Sequence, residues 1–148
     1  MPPIPLFTAN RIQQRVSELA VLLDEKFANG KQSHFIGVLK GGFVFLADLI
    51  RAMSLPVTVD FIRVSSYGST TTGSGTPRVL DGPTASVRDL DIVVVEDIID
   101  TGLTIQTVHQ KLLAEHPHSL STVTLLNKPS RRKVNVPIGL TVLISVTI

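Results

Sequence analysis

One stretch restricts the possible folds more than any other, the unbroken β-branched run "DIVVVE" at residues 91–96. Strands of a parallel sheet are covered on both faces, so they are apolar at successive positions and not only at alternate ones. Acidic residues cluster in and after the run, and a hydroxyl-rich turn at 101–104 follows at once. The stretch therefore predicts a buried strand with a concentration of polar groups where it ends.

Helical and strand patterns alternate along the rest of the chain. Apolar side chains recur every three or four positions from Ile12 to Phe27, and Gly30 is placed to cap the helix that this pattern predicts. Alternating strands and helices are typical of a mainly parallel sheet with helices on both faces. We therefore predict a single α/β domain over 1–148. The predicted helices are 10–28, 44–53 and 101–115, the predicted strands 34–40, 57–64, 91–96 and 121–128, and a long loop with room for a short hairpin spans 65–84.

Composition excludes several classes of protein. The chain has 148 residues, a hydrophobic fraction of 43% and a charged fraction of 18%, as a globular domain has. Its formal net charge of +2 is too small to indicate a nucleic-acid-binding protein. It has no cysteine, no secretion signal and no apolar stretch of the ~20 residues that span a membrane. We expect a cytoplasmic protein that binds neither nucleic acid nor a membrane.

Three predicted strands end in chemically active residues. Lys40-Gly41-Gly42 follows the first, Glu96-Asp97 ends the central one, and Lys128 ends the last. In open α/β sheets, ligands bind beyond the carboxyl ends of the strands. The sequence therefore predicts that these residues meet at one edge of the sheet.

The turn after the central strand has the features of an anion-binding site. Backbone N–H groups at a helix start, together with the helix dipole, favour a phosphate. Gly102 allows a close approach of the backbone, and Thr101 and Thr104 add hydroxyl donors. The alternative for Asp100, beside this turn, is an ordinary helix N-cap.

The adjacent carboxylates Glu96 and Asp97 restrict which ligands the predicted site can bind. Two carboxylates at a sheet edge are unfavourable unless sugar hydroxyls, Mg²⁺ or an arginine satisfies them. Beside a phosphate they repel the anion unless a metal ion or hydroxyls intervene. A sugar phosphate with vicinal hydroxyls and bound Mg²⁺ meets all these demands.

At this point the sequence resembles a known family. "VVVEDIIDTGLT" at 93–104 is similar to the signature of the type I phosphoribosyltransferases, which bind 5-phosphoribosyl 1-pyrophosphate. "GVLKGGFVFLADLIR" at 37–51 and "VSSYGSTTTGSG" at 64–75 narrow the resemblance to the hypoxanthine-guanine phosphoribosyltransferases, in a bacterial-like form. The resemblance covers about residues 5–138. It implies the type I phosphoribosyltransferase fold, a mainly parallel twisted sheet flanked by helices.

The resemblance also implies a role for each matching residue. Glu96 and Asp97 hold the ribose 2- and 3-hydroxyls, directly or through Mg²⁺. Asp100 lies near N7 of the purine and acts as general base, and Lys128 donates to the purine 6-oxo group. The other implied contacts are Thr101, Gly102, Leu103 and Thr104 around the 5-phosphate, Lys40 and Gly41 near the pyrophosphate in a turn that often has a strained or cis peptide, and Ser66 and Tyr67 in a mobile loop that closes over the reacting centre.

The function that the resemblance implies is purine salvage. Phosphoribosyl passes from 5-phosphoribosyl 1-pyrophosphate to N9 of hypoxanthine or guanine, giving IMP or GMP and pyrophosphate, with Mg²⁺ as cofactor. The alternative is a homologue that binds phosphoribosyl pyrophosphate and regulates, or that is catalytically impaired. The resemblance further implies that the chain forms a homodimer or homotetramer. It also implies that the molecules it binds are these small-molecule substrates.

The C-terminal segment departs from the family pattern from about residue 139. Residues 134–148 are apolar and uncharged, without an aromatic side chain, so we expect a truncated or altered segment and an incomplete hood subdomain. We expect part of it to add a strand to the sheet or to pack in a subunit interface, with no stacking or ionic contact to a purine. Such a chain should bind phosphoribosyl pyrophosphate better than it transfers the sugar.

Two further groups have ordinary interpretations. The basic run at 131–133 is expected to be a solvated turn, because nucleic-acid sites have larger basic patches. His116 and His118 are expected in a loop at a helix end, because no third metal ligand is near them in sequence.

Overall fold

The computed structural model describes residues 2–29, 32–65 and 76–136, and the backbone of 144–145. Helices and strands alternate along the chain as predicted, and one short 3-10 turn, Pro129–Arg131, follows the fifth strand. The elements are α1 (Ala9–Lys26), β1 (Ser33–Leu39), α2 (Phe43–Ala52), β2 (Val57–Val64), β3 (Val79–Asp81), β4 (Asp91–Ile99), α3 (Leu103–Leu113), β5 (Ser119–Asn127) and β6 (Ile144–Ser145).

The strands form one sheet in the order β3-β2-β1-β4-β5-β6. Every pairing is parallel except that of β3, which runs antiparallel to β2 as the second strand of a hairpin. The mainly parallel sheet predicted from the sequence is therefore confirmed. The order reverses between β1 and β4, and at such a switch point ligands bind outside the carboxyl ends of the strands.

Strand β4 lies at the centre, and its unbroken apolar run is covered on both faces. Val93 and Val95 belong to the core cluster that packs under α1 and α2. Ile92 and Val94 belong to the cluster that packs under α3. Because successive side chains of a strand point to opposite faces, a strand buried between two helical layers needs an apolar residue at every position.

Helix α1 follows the predicted stripe. The Thr8 hydroxyl caps it by accepting the Arg11 N–H at 3.1 Å, and the stripe members Val16, Leu19 and Leu23 are buried. The helix ends at Lys26, two residues earlier than predicted. Gly30, the predicted cap, lies outside the described residues.

Strand β4 is longer than predicted. It runs to Ile99 and not to Glu96, so Asp97 also lies inside the strand. Its last residues keep their register with β5, where Ile99 is opposite Asn127.

The C-terminal segment contributes the two-residue strand β6, which pairs with the end of β5. The prediction that part of 134–148 adds a strand to the sheet is confirmed. Among the described helices, none is long and apolar enough to cross a membrane.

Candidate functional site

The carboxyl ends of β1 and β4 border a cavity of about 330 Å³, and the loop from β4 to α3 closes one side of it. The cavity brings together most of the predicted site residues, although they come from two separate segments, 40–41 and 96–104. Its polar lining consists of Lys40, Gly41, Ser65, Glu96, Asp97, Asp100, Thr101, Gly102, Thr104 and Arg131.

The turn after β1 brings its backbone against the end of β4. The Leu39–Lys40 peptide is cis, as the family resemblance implies for this turn. A Cβ atom on Gly41 would lie 2.9 Å from Oδ2 of Asp97, a distance at which carbon and oxygen overlap. A side chain here would therefore displace the Asp97 carboxylate from its present position.

Glu96 and Asp97 form a close pair with unequal exposure. Glu96 is buried and Asp97 half-buried, and the Asp97 N–H donates to Oε1 of Glu96 at 3.1 Å. Burial, and then the hydrogen bond and negative charge of Asp97, raise the pKa of Glu96 to about 9. The raised pKa favours the protonated form of Glu96 at neutral pH, which reduces the negative charge at this edge of the sheet.

This pair fits a hard divalent cation that is completed by ligand oxygens. Mg²⁺ prefers oxygen donors and is usually held by one or two carboxylates together with phosphates and water. Within the part of the chain that the structure describes, three or more acidic, histidine or cysteine residues nowhere cluster as a metal cage. Glu96 and Asp97 could therefore hold Mg²⁺ jointly with a bound phosphate ligand.

The 101–104 loop forms the start of α3. Gly102 is the N-cap, with φ of +88°, and the Thr101 hydroxyl accepts the Leu103 N–H at 3.3 Å. The first turn of a helix leaves N–H groups without intrahelical partners, and Gly102, Thr104 and Ile105 of this turn line the cavity. The loop thus has the arrangement of an anion site.

Asp100 does not cap the helix, so that alternative is wrong. The N-cap is Gly102, and the Asp100 carboxylate accepts instead from Nε of Arg131 at 2.8 Å. Arg132 donates from Nη1 to the Asp100 carbonyl at 3.0 Å and from Nη2 to Oδ1 of Asn127. The basic run lies in an exposed turn, as predicted, with Arg131 and Lys133 exposed, and the half-buried Arg132 is the member that departs from that interpretation.

Gly102 also has a role in packing within the chain itself. A Cβ atom at Gly102 would lie 2.8 Å from Cγ2 of Val136, 3.0 Å from Cδ of Arg132 and 3.2 Å from Cγ2 of Val134. The glycine therefore permits a close approach of the chain's own segment 132–136. The positive φ is a second reason for glycine, because L side chains rarely adopt it.

We predict that Gly102→Ala lowers the free energy of unfolding by at least about 1–3 kcal/mol, the strain of a left-handed non-glycine residue, with overpacking against Val136 added. Adding Val136→Ala should restore the share of the unfolding free energy that overpacking removes. The share that backbone strain removes should stay lost. Denaturant unfolding measures both. The control is Gly82→Ala, where the nearest atom is 3.7 Å from the added Cβ. Equal stability of the Gly102 and Gly82 variants would contradict this account.

The remaining predicted residues, Leu103, Lys128, Ser66 and Tyr67, are not among those that line the cavity. Lys128 follows β5 directly, and its N–H donates to the Ile99 carbonyl at 2.9 Å, which fixes its backbone beside the end of β4. Ser66 and Tyr67 lie outside the described residues. Ser65, which precedes them, lines the cavity and exchanges two hydrogen bonds of 2.8 Å with Arg78.

His116 and His118 lie where expected, in the loop between α3 and β5. The His116 carbonyl accepts the Asp89 N–H at 3.1 Å, and the His118 N–H donates to the Leu90 carbonyl at 2.8 Å. Both contacts are made by the backbone, as in an ordinary connecting loop.

The sheet order and the cavity define an α/β protein with a polar cavity beyond the carboxyl ends of its strands. Comparison with known proteins makes this specific. The family model described as "Phosphoribosyl transferase domain" matches residues 6–141. The chain belongs to this phosphoribosyltransferase family, which confirms the resemblance inferred from its motifs.

Several similar proteins are hypoxanthine or hypoxanthine-guanine phosphoribosyltransferases. The chain is 38% identical over 136 residues to a hypoxanthine-guanine phosphoribosyltransferase of Dictyostelium discoideum, covering 90% of this chain and 76% of that protein. It is 40% identical over 128 residues to a hypoxanthine phosphoribosyltransferase of Salmonella typhimurium, covering 86% and 72%. A crystal structure of a hypoxanthine-guanine phosphoribosyltransferase from Bacillus anthracis superposes with a TM-score of 0.88 at 38% identity, covering 99% of this chain and 85% of that one.

Proposed function

We propose that this chain transfers phosphoribosyl from 5-phosphoribosyl 1-pyrophosphate to N9 of hypoxanthine or guanine in purine salvage. The bond from C1 of the ribose to the pyrophosphate oxygen breaks, and a bond from C1 to N9 forms. The purine loses a proton, and the products are IMP or GMP and pyrophosphate. The observation that supports this best is the meeting of an acidic pair, a helix N-terminal loop and a further carboxylate around one cavity at the end of β4.

In this proposal the sugar phosphate lies along the end of β4. The 5-phosphate sits in the 101–104 loop, where backbone N–H groups and the hydroxyls of Thr101 and Thr104 donate to it. The ribose 2- and 3-hydroxyls lie at Glu96 and Asp97. Hydroxyl donors there hydrogen-bond the carboxylate oxygens and offset the cost of burying this acidic pair.

The purine side involves the two residues that follow β4 and β5. Asp100 takes the purine proton as N9 attacks, since a carboxylate at the cavity wall can act as a general base. Lys128 donates from its ammonium group to the 6-oxo group. The hydrogen bond from Lys128 N–H to Ile99 holds the two strand ends together and supports this pairing of roles.

The pyrophosphate and the entrance are assigned to the glycine turn and the long loop. Lys40 and the Gly41 backbone approach the pyrophosphate, and both line the cavity beside Asp97. Ser66 and Tyr67 belong to the loop that excludes water from the reacting centre, since water would hydrolyse the same C1 position. That loop begins at Ser65, at the cavity wall.

We propose Mg²⁺ as the cofactor, held by Glu96 and Asp97 together with ligand oxygens. When bound, it supplies charge neutralisation to the departing pyrophosphate. Charged substrates of this kind do not cross membranes, so we place the activity in the cytoplasm. We also propose a homodimer or homotetramer as the assembled form.

Two measurements test the proposal. Isothermal titration with phosphoribosyl pyrophosphate in Mg²⁺ should show binding, and a spectrophotometric assay should show turnover of hypoxanthine or guanine, with adenine as the control base. Binding without turnover would favour the regulatory or impaired alternative. Absence of both would refute the proposed function.

A further inference from the structure

The loop that carries Asp100 and the phosphate-binding turn is held by the segment that follows Lys128. Residues 100–102 and 131–133 are joined by two side-chain contacts and one backbone hydrogen bond. The backbone bond runs from the Lys133 N–H to the Thr101 carbonyl at 2.8 Å. The proposed base, phosphate loop and purine lysine are thus mechanically connected through a few residues.

Arg132 makes the central contact of this connection. Its Nη1 donates to the carbonyl of Asp100, on the loop after β4, while Nη2 donates to Oδ1 of Asn127, the last residue of β5. A guanidinium is planar and always charged, so two donors with a fixed spacing hold both acceptors at a defined separation. Lysine has only one nitrogen and cannot reproduce this geometry.

Arg132 is also partly buried beside the loop. Burial lowers the pKa of its guanidinium, and the nearby Asp100 charge partly offsets that shift. Its Cδ also packs 3.0 Å from the position that a Cβ would take on Gly102. Arg132 therefore supports the loop by packing as well as by hydrogen bonds.

Arg131 differs from its neighbour in what it contacts. Its Nε pairs with the Asp100 carboxylate, both side chains are largely exposed, and it lines the cavity. Exposed ion pairs contribute little to stability. Removing Arg131 changes the charge beside Asp100, whereas removing Arg132 frees the backbone that carries it.

We propose that Arg132 is a positioning residue, which fixes the Asp100–Thr101 backbone relative to the end of β5 and so aligns the proposed base with the phosphate loop. This inference rests on the proposed function for its catalytic consequence and on the structure alone for its mechanical one. The two can therefore be tested separately.

The mechanical test is hydrogen exchange on the ligand-free protein. In Arg132→Met, the hydrogen-bonded amides of Leu103 and Lys133 should exchange about tenfold faster or more, because the lost bonds to a charged donor had suppressed local opening. Arg131→Met should leave these rates near those of the parent chain. Unchanged exchange in Arg132→Met would overturn the proposal, whether or not the chain proves to be an enzyme.

The catalytic test uses steady-state kinetics. Arg132→Met should lower kcat/KM by ~10–10²-fold, the effect of a misplacement of about 1 Å, and Arg132→Lys should restore only part of it. Asn127→Ala should lower it less, and the double variant should lose less than the two single losses multiplied. Arg51→Met, an exposed ion-paired arginine on α2, is the control and should keep parental kinetics.

The outcomes separate the two hypotheses. Faster exchange in Arg132→Met with an inactive parent chain would refute the proposed function and leave the positioning role standing. An active parent chain with unchanged exchange and kinetics in Arg132→Met would refute the positioning role alone. Multiplicative losses in the Asn127 cycle would show that Arg132 does not act through Asn127.

Discussion

Asp100→Asn should lower the turnover of hypoxanthine and guanine by ~10²–10⁴-fold, the usual effect of losing a general base. The amide keeps the shape of the carboxylate but cannot accept the purine proton as N9 attacks. Because the Asp100 carboxylate is about 40% exposed and the backbone is held separately by Arg132 and Lys133, the loop should keep its conformation. Affinity for phosphoribosyl pyrophosphate should therefore change much less than kcat.

The matched control is Asp91→Asn, the same substitution at the opposite end of the same strand. Asp91 accepts from the Ser119 hydroxyl at 2.6 Å and lies one strand length from the cavity. Its variant should keep parental turnover. Equal losses of affinity and kcat in Asp100→Asn would show that this residue positions the ligand and transfers no proton.

The sequence predicts most of what depends on local pattern. The run at 92–95 predicts a strand buried on both faces, because alternate side chains supply two different core clusters. The ligand chemistry of Glu96, Asp97 and the 101–104 loop can also be predicted from the local sequence. Side-chain type and position after a strand determine which groups can reach a sheet edge.

Contacts between distant segments are what the sequence does not predict. Arg131 and Arg132 reach Asp100 across 31 and 32 positions, and only the register of β4 with β5 brings them together. A short basic run is usually solvated, so composition alone gives no sign of a structural role. The one signal for these contacts in the sequence is the carboxylate of Asp100, because such a group favours a cationic partner.

The role of Gly102 likewise depends on contacts with a distant segment. A glycine before a helix is compatible with a ligand approach, a tight turn or close packing of the chain itself. The positions of Val134 and Val136 decide between these, and they depend on the path of the chain after β5. Sequence spacing carries no information about that path.

The protonation of Glu96 also depends on tertiary structure, and it has a measurable consequence. The folded-state pKa of Glu96 is raised to about 9 by burial and by Asp97, above its ordinary value of 4.5. Between these pH values the folded chain holds a proton that the unfolded chain has released. Stability must therefore fall as pH rises through this window, by up to about 1.4 kcal/mol per pH unit from this group.

Glu96→Gln should remove this dependence. The amide is uncharged at every pH and occupies the same buried space, so the variant should match the parent chain near pH 5 and exceed its stability increasingly towards pH 9. Denaturant unfolding at pH 5.5, 7 and 8.5, without Mg²⁺ or phosphoribosyl pyrophosphate, measures the difference.

The control is Glu25→Gln, at an exposed glutamate on α1, and its stability should differ from that of the parent chain by a constant amount. His109, whose pKa burial lowers, titrates in every variant and cancels in the comparison. Parallel pH profiles for the parent chain and Glu96→Gln would mean that Glu96 is ionised in the folded protein, and that the acidic pair carries its full charge before any ligand binds.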